Sequence, residues 1–105
     1  MQLVQCSGAE PFIIDDEVAD ALMDLAWELA TYRRYEVVRL PTRDAQSALI
    51  TVTVLLGPAS DLTARTATGF EPVGDELAAP ELRRRAELLR WPAIDLAELT
   101  YEVDD

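Results

Sequence analysis

The chain has 105 residues, half of them apolar and 28% charged, with twenty carboxylates against nine arginines and a formal charge of −11 at pH 7. That composition fits one globular domain over 1–105, and the charge sets it against nucleic acid and anionic membranes while favouring basic partners. Lysine, histidine and asparagine are absent and cysteine occurs once. This removes Schiff-base chemistry, the usual neutral-pH proton carrier and any internal disulfide.

Gln2 to Cys6 and Pro11 to Ile14 are short apolar stretches on either side of Ser7-Gly8, a spacing that predicts a hairpin. No positively charged flank opens the chain and no stretch approaches the ~20 apolar residues of a membrane span, so a cytoplasmic protein without a membrane partner is expected. From Asp15 the period becomes helical. Val18, Leu22, Leu25, Leu29 and Tyr32 recur at three- and four-residue steps, predicting a helix over 16–33 with Asp15 or Asp16 as its cap.

Two β-branched runs follow, Tyr35 to Leu40 closed by Pro41 and Ala48 to Leu56 closed by Gly57-Pro58. In the second, Ile50, Val52, Val54 and Leu56 are expected to face the core, with Thr51 and Thr53 on the wet side. A weaker strand is expected over Leu62 to Thr68, ended by Gly69. Pro80 suits the first turn of a second helix over 80–91, with Leu82, Ala86 and Leu89 on one face, Glu81–Arg85 and Arg83–Glu87 at i,i+4, and Pro92 as its stop. Leu99, Tyr101 and Val103 then alternate with Glu98, Thr100 and Glu102 as a candidate C-terminal edge strand. The order ββαβββα predicts an α+β fold, a small antiparallel sheet with two helices packed on one face.

The densest chemical feature is on the first helix, where Asp16, Asp20, Asp24 and Glu28 follow at i,i+4 with Glu17 beside them. Like charges at that spacing repel, and the helix dipole favours acids in the first turn alone. The stripe reads as a solvated face, as a surface for a basic partner, or as a metal site. The last requires convergent oxygens, which a row along one helix does not supply. If Asp24 and Glu28 pair within the chain, Arg83 to Arg85 are the expected partners.

The apolar arc of the same helix is wider than one sheet contact requires, because Ala19, Met23, Ala26, Trp27 and Ala30 carry it toward the acids. Its cover is the second helix, the tail, a second copy or another protein, or else Trp27 is simply left partly exposed. Met23, Trp27 and Ala30, with Asp16, Asp20, Asp24 and Glu28, are therefore the candidate partner-binding residues. Acids at the start of the helix and Arg33-Arg34 at its end favour antiparallel pairing of two copies into a homodimer.

No catalytic set emerges, and no cofactor or metal is expected. Cys6 has no histidine or lysine beside it, Ser7, Ser47 and Ser60 have no base, and the arginines come without a glycine-rich phosphate loop. A carboxylate pair of glycosidase type needs a cleft that so short a chain is not expected to build. The expected function is a non-enzymatic protein–protein interaction module. The alternative is an acidic inhibitor, an immunity protein or phage-encoded antagonist that mimics nucleic acid or fills a basic site, and the third is a small enzyme or metal-binding protein.

Ile14-Asp15-Asp16 entering a helix, Arg33-Arg34-Tyr35-Glu36 leaving it and a strand ending in Gly57-Pro58 resemble, over the layout of residues 10–90, a family of small uncharacterised actinobacterial proteins. That family has no assigned activity, so the resemblance implies no site.

Overall fold

The two apolar segments at the start pair as expected. β1 (Gln2–Cys6) and β2 (Phe12–Ile14) form an antiparallel hairpin whose connection passes through Gly8 at φ +80, a left-handed backbone that glycine adopts without steric cost. The computed structural model describes residues 1–6 and 8–91. Ser7, Pro92 and the expected strand around Leu99, Tyr101 and Val103 lie outside the described residues.

Helix α1 (Asp16–Thr31) follows, with Val18, Leu22, Leu25 and Leu29 buried along its inner stripe. It ends two residues before the expected Arg33, which turns left-handed at φ 55. Arg33 N–H then donates to Ala30 O at 3.3 Å and Arg34 N–H to Leu29 O at 2.9 Å, so carbonyls that the helix leaves unpaired are satisfied by the turn itself.

β3 (Glu36–Arg43), β4 (Leu49–Leu56), β5 (Leu62–Thr66) and α2 (Ala78–Arg90) complete the predicted order ββαβββα. β3 was expected to stop before Pro41 but continues through it, with Pro41 opposite Thr51 in the ladder. β2 meets β3 at Ile13 opposite Arg43, so beside Pro41 no strand on that side demands the missing N–H. Among the described residues the sheet has five strands in the order β4-β3-β2-β1-β5, all neighbours antiparallel. Both edges are consecutive strands. β5 is short and carries Arg65, whereas β4, Leu-Ile-Thr-Val-Thr-Val-Leu-Leu, holds no charge, proline or glycine.

The link between those edges, Gly57–Asp61, is only five residues long, reaching about 20 Å if extended. Four strand spacings in a flat sheet already come to about 19 Å, before any offset along the strands. Ser60 N–H folds back to Gly57 O at 3.0 Å and shortens the link further. The sheet must therefore curl, and a hollow lined by Cys6, Tyr35, Leu55 and Ser60 shows β1 brought up to the β3–β4 hairpin. Gly57 lies directly beneath the Tyr35 ring, and a Cβ at that position would overlap it.

Each ladder pairs even-numbered with even-numbered residues, which puts Val4, Phe12, Ile14, Val38, Leu40, Val54 and Leu56 on one face. The apolar stripes of both helices cover that face in one core cluster. Ile50 shares this parity yet is 39% exposed, contrary to expectation, because a hollow of about 660 Å³ bordered by Phe12, Gln46 and Val52 opens over it. No helix of the described residues is long and apolar enough to cross a membrane.

The connection from β5 to α2 is held by side chains. The guanidinium of Arg43, 13% exposed, donates from Nε to Glu71 O at 2.8 Å, from Nη2 to Pro72 O at 3.0 Å and from Nη1 to Ser47 O at 2.7 Å. Asp15 occupies the cap position of α1 but makes no capping bond. Its carboxylate instead accepts the N–H groups of Val73 at 2.9 Å and Gly74 at 3.1 Å. Replacing Arg43 with Leu removes charge-assisted bonds to three carbonyls, two of them on the exposed residues Glu71 and Pro72, and should cost about 1–2 kcal/mol. Urea unfolding measures it, and a loss below about 0.5 kcal/mol, the scale of an ordinary surface substitution, would refute the clamp.

Candidate functional site

On α1 the side chain opposite the core is Trp27. Nine residues at 100° each place it about 180° from buried Val18, and it is 71% exposed. Met23, one turn earlier, and Ala30, one turn later, are also exposed, as are Asp16 and Asp20 nearer the helix start. The crest of α1 thus reads acid, acid, Met, Trp, Ala from its amino end, with exposed Arg33 and Arg34 just beyond. The wider apolar arc is partly resolved inside the molecule, since Ala19 is buried and Ala26 half-buried against the core.

The acidic stripe does not remain one feature. α2 runs beside α1 in the same direction, its start near Asp15 and Val18 and its end at Asp24 and Glu28. Arg90 donates from Nη2 to both carboxylate oxygens of Asp24 at 2.9 and 3.0 Å and from Nε to Glu28 Oε1 at 3.0 Å. Glu28 is 9% exposed, so its charge is tolerated because Arg90 meets it. Both carboxylates lock the two helices together, and the partner is Arg90 rather than Arg83 to Arg85, because the parallel course of α2 brings its last turn to them. Asp16 is held by the terminal amine of Met1 at 2.8 Å and by Gln2, and these contacts lower its pKa. Glu17 and Asp20 make no ion pair among the described residues, and neither do Arg33 and Arg34.

Sequence reasoning missed the roles of Arg90, Arg43 and Asp15. Each acts across many residues of chain, and no local spacing announces such a contact. An arginine in the last turn of a helix, as Arg90 is, was the one available hint.

Several hollows open at the surface of the described residues. One of about 200 Å³ lies between β3 and α2, bordered by Arg39, Asp75, Glu81 and Arg85. Its charges serve structure: Glu81 accepts from Arg84 Nη2 at 2.7 Å, and Arg85 bridges Glu81, Glu36 and the Val37 carbonyl. The expected Glu81–Arg85 pair forms at 3.4 Å, with Arg84 the closer partner. Cys6 is half-buried, and burial pushes its thiol pKa up, away from reactive thiolate. No three metal-ligating side chains converge among the described residues.

Arg84, and after it Arg85, hold the Glu81 carboxyl well below its ordinary 4.5, at about 2. A carboxylate with a depressed folded pKa contributes stability above its unfolded value and loses it as pH falls through the folded one. The melting temperature of Glu81→Gln should therefore converge on that of wild type between pH 4.5 and about 2. Parallel curves across that window would refute the pairing.

No family model, curated protein or solved structure matches the chain.

Proposed function

We propose that this protein is a non-enzymatic interaction module of the cytoplasm that binds a protein partner through the crest of α1. The observation that carries the reading is Trp27, 71% exposed at the outermost point of the helix with exposed Met23 beside it. A large amphipathic side chain gains little from that position in a lone molecule, and it is the residue type most often dominant where proteins meet. Asp16 and Asp20 form a polar margin on one side of the patch, as interfaces have. Asp24 and Glu28 contribute by fixing α1 on α2, which keeps the crest rigid.

A second reading, an acidic inhibitor that occupies a basic site, is favoured by exposed Glu17 and Asp20, which make no ion pair among the described residues, and by the charge of −11. It differs in its salt response. Binding led by charge weakens steeply as ionic strength rises, whereas binding led by Trp27 and Met23 does not.

With Trp91 changed to Phe, emission from Trp27 reports the crest alone. In dilute protein it should be open to a neutral quencher, and Trp27→Glu should change stability by no more than about 0.5 kcal/mol, as exposed positions do. A Trp27 shielded at every dilution, or a cost well above that value, would make the residue part of the core and end this reading.

A further inference from the structure

The crest of α1 is complementary to itself. Asp16, Asp20, Met23, Trp27, Ala30 and Arg34 are separated by steps of four, three, four, three and four residues, a spacing that is the same read from either end. Chemically the two ends are opposite: the amino end is acidic, with Asp16, Glu17 and Asp20, and the far end basic, with Arg33 and Arg34. We infer that the partner is a second copy of this chain, docked crest to crest and antiparallel about a two-fold axis, so that Met23 of each copy meets Trp27 of the other.

The rest of the register follows from that one contact. Asp16 falls opposite Arg34 of the second copy, Glu17 opposite Arg33 and Asp20 opposite Ala30. A two-fold axis makes each pair occur twice, so four acid–arginine pairs flank a centre of two tryptophans and two methionines. Small Ala30 lets the backbones approach near the ends of the contact. Parallel docking would instead set acid against acid and arginine against arginine.

The chain fits this use in two further respects. Arg33 and Arg34 are exposed and make no ion pair among the described residues, in a protein with more than twice as many acids as arginines. The left-handed turn at Arg33, a conformation that favours glycine, keeps both arginine stems at the end of the helix. Asp24, which would sit near its own copy across the axis, already pairs with the guanidinium of Arg90, shared with Glu28. One helix-on-helix contact about 24 Å long is a small interface, of the size of reversible, transient associations.

This inference rests on the interaction-module reading, and the experiment separates the two. Sedimentation of the full chain over a range of concentrations should give a reversible monomer–dimer equilibrium that weakens only modestly with salt, because the exposed end pairs are screened while the Trp27–Met23 centre is not. Asp16→Arg with Glu17→Arg in one variant, and Arg33→Glu with Arg34→Glu in a second, should each weaken self-association at least tenfold. Mixed in equal amounts, the two variants should recover wild-type association, since each then meets the opposite charge at both ends. A wild type that stays monomeric at every concentration overturns the self-pairing. So does a mixture that associates no better than its separate components, or a variant that self-associates like wild type. Trp27→Glu should abolish the dimer. If Trp27 is quencher-accessible and Trp27→Glu is stable in the same preparations, the interaction-module reading survives the loss of the dimer.

Discussion

Even-to-even pairing runs through all four ladders of the sheet, and the core exists because of it. A slip of one residue at any ladder would turn one strand's apolar set to the wrong face, so Val4, Ile14, Val38 and Leu56 depend on registers set far apart in the chain. The five-residue link between the two edge strands adds a second demand. It forces a curl that brings Cys6 up to Tyr35 and Leu55 and leaves an apolar face shaped to hold two helices side by side. Arg43 and Asp15 then secure the long connection from β5 to α2, so that α2 enters on the correct side.

Within that frame α1 does three jobs with three faces. Its inner stripe fills the core, its flank carries Asp24 and Glu28 to Arg90, and its crest faces outward. The flank is what makes the crest useful. Two parallel helices bring like dipole ends together, an unfavourable arrangement that ion pairs at the final turns offset, and a helix fixed in this way presents its outer residues in one geometry. The charges read in sequence as one stripe thus divide by function, with Asp24 and Glu28 structural and Glu17 and Asp20 left facing solvent.

Much of the fold was legible because the signals are local. The period change at Asp15, the alternation from Ile50 to Leu56 and Pro80 in the first turn of α2 each announce an element within a few residues, and the order ββαβββα follows from them. Pro41 misled because the rule against proline in strands assumes a neighbour on both sides, and β2 covers β3 only at Arg43. Ile50 misled because parity assigns a face but not a cover. Trp27 and Met23 were legible as surplus apolar residues on the helix. What sequence could not decide was whether α2 would cover them, since that depends on the side from which α2 approaches. Arg90 supplies that answer from more than sixty residues away.

Among the described residues no strand pairs with the outer edge of β4, and this has a consequence for how the protein behaves in bulk. Most sheets guard their borders with a lysine, a proline or brevity, as β5 does with Arg65 and five residues, but Leu49–Leu56 offers eight uncharged residues of high strand propensity. Repulsion between molecules of charge −11 disfavours the approach of two such edges, most strongly at low salt. That protection is colloidal rather than structural, and it vanishes near pH 4.2, where the charge falls to zero. The acid-rich composition thus acts as a solubility device, and acidification toward pH 4.2 removes the net charge that disfavours self-association.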